Sequence, residues 1–231
     1  MFDRIAPGYD AMNTLMTAGL DSRWRRATIS AAALTGGERV LDVACGTGKL
    51  AMAARAAVGP HGEVTGIDAS PQMLEVARRA DTRAARAVRD GGRPTPVRWI
   101  EGDAMAMPFA DDAFDATLIG FGLRNLPDYA GGLAEMGRVT APGGRVLVLE
   151  IGRPAATLPR LVHRSWFRRV VPVIGRVIGR GAAYAYLPAS LDAYPEPRAI
   201  GELMAAVGLV RVRWRWLAGG MVTLHVAEVP T

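Results

Sequence analysis

Three aspartates that could bind a charged adenosine cofactor follow three apolar segments of the sequence. Asp42 precedes the glycine turn of the stretch LDVACGTG (41–48), Asp68 ends an apolar segment, and Asp103 lies shortly after a third one. An ionised carboxylate accepts hydrogen bonds at two oxygens, as the two hydroxyls of a ribose require. We therefore expect the three acids to outline one cofactor pocket, with Asp68 at the ribose.

The glycine turn is compatible with more than one ligand. Gly46 and Gly48 allow positive φ angles and close approach of the backbone to a ligand, and the helix after the turn offers free N–H groups to a carboxylate or phosphate. The spacing also fits the dinucleotide fingerprint, with Asp68 as the ribose acid, and a turn without any ligand is a third reading. The acids on both sides favour S-adenosylmethionine (SAM), with Asp103 and Ala104 at the adenine edge. The expected cofactor contacts are Asp42, Gly46, Thr47, Gly48, Asp68, Asp103, Ala104 and Gly120.

Apolar segments alternate with helical patterns along the chain, which is typical of an α/β fold with a doubly wound, mostly parallel sheet. Such sheets bind ligands at the carboxyl ends of their strands. The last two strands are joined by Gly219 and Gly220, so we expect a hairpin in which the final strand runs antiparallel. The predicted strands are 39–44, 63–68, 97–100, 114–120, 144–150, 209–217 and 222–229, and the predicted helices are 9–17, 22–34, 49–58, 70–87, 128–139, 158–180 and 196–207.

Composition is compatible with one domain and limits the cellular setting. The chain has 231 residues, half of them hydrophobic, which suffices for a single core. No apolar run reaches the roughly 18 residues of a membrane span, and no secretory pattern begins the chain. Cys45 is the only cysteine, so we expect a cytoplasmic protein without disulfides and a packing role for this thiol. No histidine has metal-ligand spacing, and we expect no metal.

The positive charge of the protein lies in its last third. Residues 151–231 contain 11 Lys and Arg against 4 Asp and Glu, whereas residues 1–150 contain 17 against 18. The segment 158–180 mixes arginines with bulky apolar residues, a composition seen in interfacial helices. Pro172 and the poorly separated faces favour core packing instead. Peripheral membrane contact and substrate-region packing both remain open, whereas 6% aromatic residues without a stacking platform argue against nucleic acid.

Longer motifs point to one family. They are FDRIAPGYDAMNTLMTAG (2–19), WRR (24–26), LDVACGTG (41–48), GIDASPQML (66–74), GDAMAMPFADDAFD (102–115), FGLRN (121–125), RVTAPGGRVLVLE (138–150), AYAYLPAS (183–190) and GLVRVRWRWLAGGMVTLH (208–225). Together they resemble the UbiE/Coq5/MenG methyltransferases. The sequence departs from that pattern at Asp21-Ser22, where His-Arg is frequent, at Lys49, where Asp is usual, and at Ile151-Gly152, where Phe-Ser is usual.

The resemblance implies SAM-dependent C-methylation of a prenylated quinol ring. Asp21 and the WRR motif look like the menaquinone branch, which makes demethylmenaquinol the expected acceptor. The implied organisation is a single methyltransferase domain with an N-terminal helical lid (1–36), a cofactor-binding core (37–150), a helical substrate- or membrane-facing region (151–207) and a C-terminal hairpin (208–231). Such a protein would be cytoplasmic or peripheral at the inner membrane face, and the sequence leaves a homodimer open.

Methylation of a ring carbon requires alignment of the two reactants and loss of a proton from a neighbouring hydroxyl. Alignment alone is worth about 7–11 kcal/mol, and a general base adds about 10²- to 10⁴-fold in rate. We expect Arg124 to stabilise the phenolate or orient a water, because arginine stays protonated. Asn125 and Tyr9 are expected beside it, although Arg124 could equally pair with a carboxylate, Asn125 cap the next helix and Tyr9 pack.

Three other functions compete with this one. An NAD-dependent oxidoreductase would explain the glycine turn and Asp68 but gives no role to Asp103 or to the FGLRN motif. A basic nucleic-acid-binding module lacks aromatic residues among its arginines. A small-molecule O- or C-methyltransferase of secondary metabolism on the same frame is the main rival. Between a demethylmenaquinol and a demethoxyubiquinol acceptor, only the resemblance at Asp21 and the WRR motif favours the former.

Overall fold

A computed structural model of the chain describes residues 10, 13, 14, 17, 19–87, 95–152 and 194–231. Its strands are β1 (Arg39–Val43), β2 (Glu63–Asp68), β3 (Arg98–Glu101), β4 (Phe114–Gly120), β5 (Thr140–Ile151), β6 (Val210–Leu217) and β7 (Val222–Glu228). Its helices are α1 (Asp21–Ala32), α2 (Lys49–Val58), α3 (Pro71–Ala87), α4 (Tyr129–Val139) and α5 (Pro197–Ala206). Short 3₁₀ turns lie at Leu123–Asn125 and Ala218–Gly220.

The seven strands form one sheet in the order β3-β2-β1-β4-β5-β7-β6. All neighbouring pairs from β3 to β5 are parallel, and β7 is antiparallel to both β5 and β6. The predicted doubly wound sheet and its antiparallel last strand are therefore confirmed. The strand order reverses between β1 and β4, and a ligand crevice is expected at such a switch point.

Burial on both faces of the sheet explains why the central strands are continuous apolar runs. Four of the five residues of β1 are buried. One face packs against α1 and α2 through a cluster that includes Trp24, Leu50 and Val58. The other face packs against α4 and α5 through Met136 and Met204, among others. The two layers hold the strand ends, and thus the site, in fixed positions.

The strand register brings the predicted acids to one edge. Asp68 is the last residue of β2 and pairs with Glu101 of β3, two residues before Asp103. Val43, which follows Asp42, pairs with Ile67 of β2. The three carboxylates thus lie at the carboxyl ends of three adjacent parallel strands, as the sequence predicts.

A few predicted elements differ from the structure or fall outside it. Strand β5 begins at Thr140 rather than at residue 144, since Thr140 already pairs with Phe114 of β4 and the PGG segment forms the register shift before the next pair, Ala116 with Arg145. Most of the predicted helix 9–17 and all of the region 158–180 lie outside the described residues. Within the described part of the chain, every helix is too short or too polar to cross a membrane.

Candidate active site

A cavity of about 300 Å³ opens at the carboxyl ends of β1, β2 and β4, within the usual range of small-molecule sites. It contains acids from the strand ends, cations from α1 and α2, and the loop that follows β4. The lining residues are Asn13, Arg25, Asp42, Ala44, Cys45, Gly46, Thr47, Lys49, Leu50, Ile67, Asp68, Ala69, Met73, Gly102, Asp103, Ala104, Gly120, Phe121, Gly122, Asn125, Leu126 and Pro127.

The glycine turn forms the floor between β1 and α2. Gly46 and Gly48 have φ angles of 55° and 77°, which glycine adopts without steric cost. A Cβ on Gly48 would lie 2.2 Å from the Trp99 ring, whereas one on Gly46 would meet nothing within 4 Å. Gly46 therefore lines the cavity, while Gly48 packs against β3 and is not among the lining residues. The predicted contact between Gly48 and the cofactor stays a prediction.

Asp68 organises the rim of the cavity. Its two carboxylate oxygens accept hydrogen bonds from the backbone N–H groups of Gly46 at 2.7 Å and of Ser70 at 2.9 Å. A carboxylate oxygen can accept more than one hydrogen bond. The carboxylate thus joins the glycine turn to the end of β2 and fits the predicted ribose contact.

Asp42 is the buried acid of the site. Its side chain accepts a hydrogen bond from the backbone N–H of Ala51 at 2.8 Å, and only 1% of its surface is exposed to solvent. Burial raises the pKa of Asp42 to about 7; the Asp68 charge adds to this, whereas the Ala51 hydrogen bond and the Arg25 charge oppose it. A buried carboxyl with a raised pKa is suited to receiving a cationic ligand group, which restores its ionised form.

Asp103 and Ala104 line the third side of the cavity. The Asp103 carboxylate accepts the N–H of Met105 at 2.9 Å, which closes a tight turn directly after β3. A carboxylate can accept several hydrogen bonds, so the turn does not prevent Asp103 from also contacting a ligand. The contact of Asp103 and Ala104 with adenine stays a prediction.

A cluster of ion pairs forms the mouth of the cavity. Lys49 Nζ lies 3.3 Å from the Asp10 carboxylate and 3.7 Å from that of Asp21, and Arg25 forms an ion pair with Asp21. Burial works to raise the pKa of Asp21, but the hydrogen bond and charge of Arg25, together with Lys49, hold it below its usual value. Thr47 Oγ1 donates to Asp10 at 2.7 Å. The N-terminal segment is thereby tied to the glycine turn.

The loop after β4 forms the wall opposite the acids. Phe121, at φ 61°, and Asn125 both line the cavity. Arg124 between them does not, because its buried guanidinium forms an ion pair with Glu150 on β5. The predicted contact of Arg124 with a substrate stays a prediction. Helix α4 is capped by Asp128, whose carboxylate accepts the N–H of Ala130 at 3.0 Å, rather than by Asn125.

Sequence reasoning missed several residues that the structure places at the site. Arg25 lines the cavity and lies 5.9 Å from the centre of the Phe121 ring, and Glu150 holds Arg124 from behind. The WRR motif could have pointed to Arg25. No local pattern could have pointed to Glu150, because it lies 26 residues from Arg124 along the chain. Tyr9, the third predicted catalytic residue, lies outside the described residues.

Neither Cys45 nor His225 has a catalytic environment. Burial raises the pKa of the Cys45 thiol well above its ordinary value, and the charges of Asp42 and Asp68 add to this, so the reactive thiolate is disfavoured. His225 is buried, with Nε2 2.8 Å from the Pro197 carbonyl, and burial lowers its pKa. Over the ranges that the structure describes, no group of three metal-ligating side chains occurs.

The sheet order, the glycine turn and the acids at successive strand ends define an α/β methyltransferase. Solved structures support this fold. The chain superposes on a methyltransferase described as putative, in complex with the Trm112 activator from Haloferax volcanii, with a TM-score of 0.70 and 17% identity over 100% of this chain and 98% of that one. A SAM-dependent methyltransferase from Aquifex aeolicus gives a TM-score of 0.65 and 17% identity over 95% and 97%. At these identities the likeness concerns the fold alone.

The chain belongs to the ubiE/COQ5 methyltransferase family, whose profile matches residues 1–228. It is 44% identical to a demethylmenaquinone methyltransferase of Thermus thermophilus over the full length of both chains. A protein of the same name from Deinococcus radiodurans is 42% identical over 99% of this chain and 90% of its own. A ubiquinone/menaquinone biosynthesis C-methyltransferase of Syntrophotalea carbinolica is 41% identical over 97% and 91%. Membership in this family rules out the oxidoreductase alternative.

Proposed function

We propose that the protein uses SAM to C-methylate a prenylated quinol ring, with a demethylmenaquinol as acceptor. The single observation that carries the proposal is the convergence of Asp42, Asp68 and Asp103 on one cavity in a chain whose relatives bear the name demethylmenaquinone methyltransferase. The rival acceptor, a small molecule of secondary metabolism, has no comparable support among these relatives.

The cavity residues fit the chemical groups of SAM. Asp68, already bound to the glycine turn, accepts the ribose hydroxyls, and Asp103 with Ala104 meets the adenine. Asp42 supplies the negative charge for the cationic end, and Gly46 and Thr47 bring the backbone close to it. When bound, SAM supplies a methyl group on a positively charged sulfur.

The loop after β4 carries the acceptor side of the reaction. Asn125 faces the cavity, and we assign it the contact with the ring hydroxyl. Arg124, buried one residue earlier, has its charge balanced by Glu150, so we assign it the role of holding the loop beneath the ring. Tyr9 remains a proposed donor to the same oxygen. The residues here align the ring and exclude water, so no covalent nucleophile is needed.

A labelled-methyl assay tests the proposal. Purified protein is incubated with methyl-labelled SAM and either a demethylmenaquinol or a demethoxyubiquinol analogue, and the position of the label on the ring is read by mass spectrometry. We expect labelled menaquinol, a rate loss of about 10²-fold in Asn125→Ala, and no change in Gln72→Ala, an exposed amide on α3. Binding of SAM without transfer to either quinol overturns the proposed acceptor, and absence of SAM binding overturns the cofactor.

We further propose peripheral contact with an anionic membrane, because a prenylated acceptor resides in lipid. The basic segment 158–180 lies outside the described residues, but strand β6 supports the idea. Arg211, Arg213 and Arg215 are exposed along this edge strand, the first two near Glu228, and Trp214, which is 40% exposed, lies on the opposite face of the strand. Arginine binds phosphate, and tryptophan is enriched at lipid interfaces.

Vesicle flotation tests this contact. Vesicles with and without anionic lipid are mixed with the protein at low salt, and we expect flotation with the anionic vesicles alone. Charge reversal at Arg213 and Arg215 should reduce flotation, whereas the matched reversal of Arg79 and Arg83, exposed on α3, should not. Equal recovery of the protein from the bottom fraction under all conditions contradicts membrane contact.

A further inference from the structure

A buried carboxylate outside the cavity connects to the loop that lines it. Glu150 is the penultimate residue of β5 and has no exposed surface. Strand β5 neighbours β4, so Glu150 lies beside the point where β4 ends and the loop 121–125 begins. It is not among the cavity-lining residues, and the proposed mechanism assigns it nothing.

Both oxygens of Glu150 are engaged at this junction. One accepts the backbone N–H of Arg124 at 3.2 Å, and the other pairs with the Arg124 guanidinium and accepts the N–H of Ile151 at 2.9 Å. The same guanidinium nitrogen donates to the Phe121 carbonyl at 2.8 Å. Through Arg124, Glu150 therefore holds the first and the fourth residues of a five-residue loop.

The loop 121–125 has a backbone conformation that depends on its surroundings. Phe121 has a φ of 61°, a left-handed conformation that is a strained outlier for a bulky residue and persists only where its surroundings enforce it. Its N–H donates to the Leu149 carbonyl at 2.8 Å, and the Asn125 side-chain amide lies 3.4 Å from its carbonyl. Release of the Phe121 carbonyl would therefore disturb both cavity-lining residues of the loop.

Buried residues enclose the ion pair of Glu150 and Arg124. The residue Tyr194 is 1% exposed, and its pKa is raised well above the usual value by burial and by the Glu150 charge. Thr223 Oγ1 lies 3.4 Å from the Glu150 backbone carbonyl. A buried carboxylate and guanidinium attract strongly, and removal of one leaves the other charge uncompensated. Removal of either partner should therefore disturb the loop.

We propose that Glu150 is a positioning residue for methyl transfer: through Arg124 it fixes Phe121 and Asn125 against the acceptor ring. The inference rests on the proposed role of the loop in binding that ring. Apart from Gly120, which precedes the loop, the residues assigned to cofactor binding lie at other strand ends, so loss of Glu150 should reduce turnover and leave cofactor affinity nearly unchanged.

The test compares Glu150→Gln with a matched change in a second buried ion pair. Arg55 of α2 and Asp81 of α3 form such a pair, and Asp81 also accepts from Val97 and from Trp99, at 3.2 and 3.4 Å. Asp81→Asn removes a buried carboxylate charge of the same kind away from the loop. We expect both variants to melt at lower temperature than the wild type, which makes Asp81→Asn the control for destabilisation.

The kinetic outcomes differ. Glu150→Gln should lower kcat by about 10²-fold, since misplacement of a reacting group by about 1 Å has that effect, with the dissociation constant for S-adenosylhomocysteine within about threefold of wild type. Asp81→Asn should retain wild-type kcat below its melting temperature. Equal kcat in the two variants, or a parallel loss of turnover and cofactor affinity in Glu150→Gln, overturns the inference.

A second variant covers the case in which Glu150→Gln does not fold. Arg124→Lys preserves the charge that Glu150 requires but cannot supply the same planar fork to Glu150 and Phe121. We expect it to fold, to bind S-adenosylhomocysteine and to lose kcat. Full activity of Arg124→Lys contradicts the inference, whereas an inactive wild type contradicts the proposed function instead.

Discussion

Lys49 lies 3.7 Å from Asp21, and these are two positions at which the sequence departs from the pattern of its family. The departures therefore compensate each other, since an acid on α1 meets a base at the start of α2. Together with Asp10 and Arg25 they join the N-terminal segment to the glycine turn. The departures at positions 21 and 49 thus exchange charges at the mouth of the cavity. They do not imply a different reaction.

Reversal of the charge at position 49 tests this relationship. Lys49→Asp would place a third carboxylate beside Asp10 and Asp21 and should lower the free energy of unfolding by about 1 kcal/mol, because Lys49 and Asp10 are partly exposed. The loss should shrink as salt is added. Denaturant unfolding at low and high ionic strength measures it, with Lys49→Met as the neutral control. A loss that is identical at both salt concentrations contradicts the electrostatic explanation.

Short sequence patterns were sufficient to predict much of the fold and the location of the cavity. The glycine turn, the alternating segments and the acid at each strand end predicted the sheet, its antiparallel strand and a shared edge, because each depends on a few neighbouring residues. The partner of Arg124 was not predictable in this way. Glu150 reads as one more residue in a buried strand, and only the β4–β5 register brings it under the loop. Likewise, the Trp99 ring decides which glycine faces the cavity.

Asp42 predicts a pH dependence of stability. Its pKa of about 7 lies above the value of 3.8 for an unperturbed aspartate, so the folded protein binds this proton more tightly than the unfolded chain. The stabilising contribution is complete below pH 3.8 and is lost as the pH rises through 7, by about 1.4 kcal/mol per pH unit in between. Asp42→Asn should remove that slope and be more stable than wild type at pH 8, as thermal unfolding across pH can show.

The same group predicts a pH dependence of ligand binding with the opposite sign. A cationic ligand favours ionised Asp42, so binding should release a proton and weaken as the pH falls below 7, by up to about tenfold per unit. Calorimetry with S-adenosylhomocysteine, which carries an ammonium group, in buffers of different ionisation enthalpy measures the release. Asp42→Asn should bind weakly at every pH, and a pH-independent affinity in the wild type would rule out this role.

The two glycines of the turn should respond differently to alanine. Gly48→Ala forces a Cβ against the Trp99 ring at a positive φ, and we expect a loss of about 1–3 kcal/mol in unfolding free energy. Gly46→Ala meets open space and costs about 1–2 kcal/mol from the left-handed backbone alone, but it adds a methyl group at the cavity. Gly48→Ala should mainly lower the melting temperature, and Gly46→Ala should also lower the affinity for S-adenosylhomocysteine. A Gly48→Ala protein as stable as the wild type would contradict the predicted clash with Trp99.

Tyr194 offers a test of whether its hydroxyl serves the buried pair beside it. Within the described part of the chain, the hydroxyl is buried without a hydrogen-bond partner, a situation that costs about 1–3 kcal/mol. Its ring stacks edge-on against Tyr129 at 5.6 Å, and phenylalanine preserves that contact. Tyr194→Phe should therefore be as stable as wild type or more stable by thermal unfolding, with unchanged turnover. A lower melting temperature would indicate that the hydroxyl is bonded in solution, by a water molecule between it and the Glu150–Arg124 pair.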